Sequence, residues 1–386
     1  MLYTDAHLQM MDTVRRFVTE EIDPHVDEWE AAESFPAHQL FKKLGNLGLL
    51  GVTKPEKFGG LGLDFSYAVA VGEALGHMKA QGVGMGISVQ CDMATPALAA
   101  YRSDELRNEF LAPAIAGDVV VSIGVSETGA GSDVASIKTT ARKNGDDYVI
   151  SGSKMWITNA LQADWICLLC NTSEGSGHKN KSLIVVPLKE NGKRRTGIEM
   201  QKIKKFGMWS SDTAQIFFDE VRVPQRNRIG EEGMGFVYPM RQFQEERLNA
   251  AARRIAIGSL IDQTADYLRE RKAFGKPLLD NQFIQFKLAE LKTEVEALRA
   301  LTYMATKAYI EGKEVTELAS MAKLKAGRLA REVADWCMQF HGGMGYTWDH
   351  PVSRAYRDVR LGSIGGGADE IMLQVIAKQM GLMTRK

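Results

Sequence analysis

The sequence predicts a mixed α+β protein in three domains: an N-terminal helical domain (1–118), a small middle β-sandwich or barrel (119–230) and a C-terminal four-helix bundle (231–386). Three observations predict it. At 386 residues the chain exceeds what one small core supports. Apolar residues recur every three or four positions toward both ends. Between them the texture changes to short β-branched and aromatic runs punctuated by Gly, Asn and Asp.

In the first domain Val14, Phe17, Val18 and Ile22 keep the helical spacing, and "FSYAVAVGEALGHM" and "DELRNEFLAPAIAG" repeat it, with "KFGGLGLD" as a glycine-rich loop. The middle strands are "DYVISGSKMWIT", "DWICLLC", "SLIVVPL" and "AQIFFDEVRVP", turned by "KNGDD" and "KENGK". After "RIGEEGMG" the helical period returns, predicting helices over 236–271, 283–311 and 315–340 and a last one reaching 380. No repeat of solenoid period and no low-complexity linker interrupts this order.

Lys+Arg and Asp+Glu balance at 48 each, so no overall field draws the protein to nucleic acid or an anionic membrane. No run of about 18 apolar residues predicts a membrane span. The opening "MLYTDAHLQMMDTVRRFV" lacks a secretory core and the final Thr384–Lys386 is no recognised address, so a cytoplasmic location is expected. Four cysteines do not make a disulfide scaffold. Cys167 and Cys170 spell CxxC, but in a strand they point to opposite faces, and no second pair completes a site. They are read as packing residues, and no metal is expected. His341 likewise lacks a second ligand and is read as a loop residue.

Six segments in order resemble the acyl-CoA dehydrogenase family: "LGLLGVTKPEKFGGLGLD", "VSETGAGSDVASIKT", "GSKMWITNA", "RKAFGKPL", "QFHGGMGYTWDHPVSRAYRD" and the triplet in "RLGSIGGGADEI". The resemblance spans nearly the whole chain. It implies the acyl-CoA dehydrogenase fold, an FAD cofactor, oxidation of the Cα–Cβ bond of an acyl-CoA thioester, and electrons passed to an electron-transfer flavoprotein. The helical–β–helical order agrees with it. GxGxxG is absent, so no Rossmann site is expected.

On that resemblance the flavin ring meets Ile123, Val125, Ser126, Gly131 and Ser132, with Ser132 also near the CoA chain. Trp156 packs on the ring system, Thr158 bonds its edge, and Ile157 lies between them. Arg271 suits the pyrophosphate as a forked cation, accompanied by Phe274 and Gln282. This segment, like Gln339, Gly342 and Gly343, reaches the FAD of a neighbouring subunit, which implies a homotetramer built as a dimer of dimers. Ala368 and Glu370 complete the cofactor set, and Gln244, Arg247 and Gly367 join Ser132 at the substrate.

Many family members carry the catalytic glutamate where this chain has Gly366, and a glycine accepts no proton. The isovaleryl-CoA and long-chain branches instead place it on a bundle helix directly before an arginine. Here "QFQEERLNAAARR" puts Glu246 before Arg247. Loss at Gly366 and gain at Glu246 occur together, so Glu246 is expected to take the α-proton, while the Gly366 backbone N–H polarises the thioester. Glu245, four residues after Arg241, is read as a surface partner of that arginine. The vacated space suits a long or methyl-branched acyl chain, and the chain has the general character of members acting on citronellyl-CoA. Two alternatives remain: an acyl-CoA oxidase or flavin monooxygenase on the same fold, and a non-catalytic flavoprotein scaffold.

Overall fold

In the computed structural model, which describes residues 2–101, 103–175 and 179–383, the N-terminal helices form where one face is apolar. Thr384–Lys386 lie outside the described residues. Along Asp5–Phe17, His7, Met11, Val14 and Phe17 turn inward. Asp64 opens the helix Phe65–Leu75 by accepting from the Ser66 N–H at 2.8 Å, pairing a donor that a helix start leaves free.

The middle domain is one eight-stranded sheet: β1 (Val121–Gly124), β2 (Thr140–Asn144), β3 (Asp147–Thr158), β4 (Trp165–Asn171), β5 (Lys181–Pro187), β6 (Ile198–Lys202), β7 (Thr213–Pro224) and β8 (Arg228–Ile229). Its order is β8-β5-β4-β2-β3-β7-β6, with β1 parallel to β4. A single parallel pair, Thr140 with Asn171, joins the two halves. Cys167 packs with Phe110 and Trp165 on one face of β4, while Cys170 packs with Tyr148 and Ile150 on the other. All four cysteines are free thiols.

The C-terminal domain is helical, as expected, with two differences. The helix anticipated over 236–271 is two, Tyr238–Ile255 and Gly258–Glu270. Between them Ile257 and Ser259 bond three residues back, to Arg254 and Ala256, and Gly258 is a poor helix former. Gln282–Ile310 and Thr316–His341 follow. The last expected helix, resuming after the glycine triplet, is Asp369–Gln379, and a helix that was not anticipated, Pro351–Val359, precedes the triplet.

His341 is not a loop residue. The helical period runs through it, because its ring is buried flat against Tyr267 with centroids 4.4 Å apart and its Nδ1 donates to the Cys337 carbonyl. The three domains meet at the buried Asp358 carboxylate, which accepts from the backbone N–H of Gln81 in the first domain and of Met208 in the second. Among the described residues no helix is long and apolar enough to cross a membrane.

Candidate active site

Helix Tyr238–Ile255 is fixed in place one turn before Glu246. There the buried Gln242 donates to the Asp92 and Met93 carbonyls of the π-helical turn Val89–Ala94. Such turns leave carbonyls off the regular helical ladder. On the other side, the turn Arg360–Ser363 lies against helix Thr316–His341, because Gly327 has no Cβ: one there would meet the Gly362 oxygen at 2.7 Å. That contact delivers the glycine triplet to the same place. Gly366 takes φ +62°, a left-handed conformation that disfavours side chains.

The two approaches converge. A Cβ built on Gly366 would stand 3.5 Å from Glu246 Oε1. The Glu246 side chain is half-buried, and it makes no hydrogen bond among the described residues. Burial raises its pKa to about 7; the Asp92 charge adds to the rise, and Arg247 and Lys323 oppose it. The adjacent arginine therefore moderates the proton affinity without abolishing it. A free carboxyl near neutrality is what proton removal requires.

Lys323, absent from the sequence reading, is 3% exposed and donates to the Gly367 carbonyl, tying the triplet to its helix. A signal existed: Lys323 lies four after Ala319 and three before Ala326, both buried, so it sits on an inward face. Arg247 donates to Ser320 Oγ and covers the Phe243 ring. Gln244 turns to Glu314 and Thr316. Glu245 accepts from the Tyr309 hydroxyl at 2.7 Å, and the Arg241 side chain expected to pair with it lies outside the described ones.

A second cluster surrounds the end of β3. The β3–β7 register slips between Lys154 and Ile157, where β3 carries one extra residue. This bulge puts Trp156 at φ +60° and leaves its side chain 51% exposed, while Ile157 returns to the core. Bulges commonly redirect a side chain in this way. Met155 N–H, diverted from the ladder, donates to the Ser126 carbonyl at 2.9 Å. With the Lys154 bond to the Val125 carbonyl, this sets Val125 and Ser126 beside the bulge that carries Trp156; Thr158 ends β3 half-buried, and Gly131 and Ser132 are exposed farther along the loop. No Cβ contact would arise at Gly129 or Gly131, so space lies open there. Ile123 is half-buried in β1.

A groove of about 1000 Å³ lies between helices Gly258–Glu270, Gln282–Ile310 and Thr316–His341. Arg271, Gln339, Gly342 and Gly343 all line it, and Tyr267, Trp336 and Phe340 supply aromatic walls. Phe274 and Gln282 stand outside the lining. Phe274, fully exposed, forms with Gly275 the two-residue tip of the hairpin Lys272–Pro277, both at positive φ as in a type I′ turn. Neither Glu246 nor the Ser126–Trp156 cluster lines this groove. Ala368 is half-buried and Glu370 exposed at the start of the last helix.

These parts fit a flavin dinucleotide: a forked cation and glycine amides on an open groove, and separately an outward aromatic face beside vacant space. Comparison with known proteins bears on the same question. Three sequence-family descriptions match: the acyl-CoA dehydrogenase N-terminal domain over residues 4–118, the middle domain over 122–221 and the C-terminal domain over 233–381. The long-chain specific acyl-CoA dehydrogenase, mitochondrial, of Sus scrofa is 36% identical over 382 residues, 98% of this chain and 87% of that one. The crystal structure of an acyl-CoA dehydrogenase from Geobacillus kaustophilus superposes with a TM-score of 0.92 at 35% identity, covering 98% of each chain. A chain in the structure of the electron transferring flavoprotein of Acidaminococcus fermentans gives 0.91 at 30% identity, again covering 98% of each.

Proposed function

This chain belongs to the acyl-CoA dehydrogenase family of FAD-dependent oxidoreductases, and from that premise we propose that it converts an acyl-CoA thioester to the 2,3-enoyl-CoA with Glu246 as the base. One observation carries the assignment: the Glu246 carboxyl occupies the space beside Gly366, 3.5 Å from where a side chain there would begin.

Glu246 takes the α-proton from the carbon next to the thioester. The Gly366 N–H holds the thioester oxygen, and a donor so placed contributes about 3 kcal/mol to stabilising the developing charge. Lys323 keeps the triplet in register by holding the Gly367 carbonyl. Arg247 and Gln244, with Ser132 and Gly367, flank the acyl-CoA. Bound FAD supplies the acceptor for the β-hydride. Ile123, Val125, Ser126, Gly131, Ser132, Trp156, Ile157 and Thr158 hold its ring end, Ile157 through its main chain, with Ala368 and Glu370 nearby. Arg271, Phe274, Gln282, Gln339, Gly342 and Gly343 hold the nucleotide end.

The nucleotide groove and the ring cluster share no lining residue. That separation supports a homotetramer, a dimer of dimers, in which the groove of one subunit completes the site of the next. The working division of the chain is 1–118, 119–230 and 231–386, the acyl group is long or methyl-branched, the electron acceptor is an electron-transfer flavoprotein, and the compartment is the cytoplasm. The likeness to a chain of the Acidaminococcus flavoprotein structure supports that acceptor.

Mixing the yellow protein anaerobically with straight and branched acyl-CoAs tests the proposal. Bleaching of the flavin is the expected result; an unchanged spectrum across the panel removes it in favour of a scaffold. Hydrogen peroxide formed in air during turnover would mark an oxidase instead.

A further inference from the structure

Beneath the loop Val125–Ser132 lies a buried ion pair with no part in the chemistry above. Lys154, on β3 just before the bulge, is 0% exposed, and its Nζ donates to the Val125 carbonyl and to Glu127 Oε1, each at 2.9 Å. The Glu127 carboxylate gathers three more donors: Lys138 N–H, Thr139 N–H and the Thr139 hydroxyl. Burial works against its ionisation, but Lys154 and these donors outweigh burial and hold the carboxyl below its ordinary pKa.

Replacing a buried ion pair by apolar residues of like volume is often neutral for stability. Its distinctive contribution is direction. Three successive carbonyls are held: Val125 by Lys154, Ser126 by Met155 N–H, and Glu127 by Ala130 N–H. The return bond from Glu127 N–H to the Ala130 carbonyl closes the turn. Ser126, half-buried, keeps its own N–H and hydroxyl without a hydrogen bond among the described residues. The loop is braced from one side and leaves two donors free on a segment that borders open space at Gly129 and Gly131.

We propose that Glu127 and Lys154 are positioning residues for the flavin, fixing the main chain at Val125–Glu127 so that the Ser126 donors are oriented before the cofactor arrives. The proposal rests on the assignment of Ser126, Trp156 and Thr158 to the ring. Preorganisation of this kind shows in affinity, because a loop that is loose in the free protein must be ordered on binding.

The test uses the paired variant Lys154→Met/Glu127→Leu and the milder Thr139→Val, each prepared with FAD. The readouts are the FAD dissociation constant, the visible flavin band and the melting temperature. Arg299→Met, which breaks the partly buried Glu73–Arg299 pair elsewhere, serves as the stability control. The expected result is FAD binding weakened at least ~10-fold in the paired variant and about threefold in Thr139→Val. The flavin band should shift as water enters, while Arg299→Met loses stability without changing affinity or spectrum. If the paired variant does not fold, Thr139→Val decides alone. FAD affinity within about twofold of wild type in the folded variants overturns the proposal. A wild-type protein that takes up FAD while Ser126→Ala leaves its spectrum and affinity unchanged would instead remove the ring assignment on which this rests.

Discussion

Glu246→Gln keeps the side chain's volume and hydrogen-bonding capacity but removes both its proton and its charge. The rise from the ordinary 4.5 to about 7 means that holding this carboxyl ionised in the folded protein costs on the order of 3 kcal/mol. The native state therefore binds the proton more tightly than the unfolded chain. The stability this group contributes is complete below about pH 4.5 and is lost as pH rises through about 7. Glutamine does not ionise, so the variant escapes that loss. Denaturant titrations should find wild type and variant nearly equal at ~pH 4, with the variant ahead by ~3 kcal/mol at ~pH 8. Catalysis moves the opposite way. Anaerobic flavin reduction should fall at least ~10²-fold in the variant, and the wild-type rate should climb with pH to a plateau above about 7. A variant reduced within tenfold of the wild-type rate, or a stability gap that does not widen with pH, would refute the assignment of Glu246 as a desolvated base.

Three further outcomes follow from the same geometry. Gly366→Ala places a methyl carbon 3.5 Å from Glu246 Oε1 at φ +62°, so it should lower stability by about 1–2 kcal/mol and slow flavin reduction, measured by thermal melting and anaerobic mixing. The exchange Glu246→Gly/Gly366→Glu moves the carboxylate from helix to loop. Its reduction rate should exceed that of Glu246→Gly alone by at least ~10-fold, and equality of the two would mean that the loop side cannot deliver a base. Lys323→Met removes a cation that lowers the Glu246 pKa, so the rise in the pH–rate profile should move to higher pH; an unmoved or lowered midpoint contradicts the electrostatic account.

Much of the site was legible because it is written as identity at fixed positions. Glu246 before Arg247, with glycine at 366, could be read from motifs, and the coordinates bring the two together. The grouping of Arg271 with Gln339, Gly342 and Gly343 was likewise encoded in two short segments. What escaped depended on partners distant in the chain. The bulge that turns Trp156 outward is a slip between β3 and β7, and neither strand's alternation reveals which one carries the extra residue. The break at Ala256–Ile257 hides because the apolar period continues through it. Lys323 was passed over as one more lysine, although its spacing from Ala319 and Ala326 puts it on the inward face of its helix. His341 was misread for a related reason: without a second ligand it was read as a loop residue, while its burial against Tyr267 extends the helix to it.

The Asp358 junction has a consequence for how the molecule comes apart. Two peptide groups from separate segments of the chain end on one carboxylate of a third, so loosening any one segment strands charge or donors belonging to the other two. Fragments cut at the interdomain connections would each inherit an unfinished surface. Denaturation should accordingly proceed as one cooperative event, with the helical ends and the sheet between them losing their structure together.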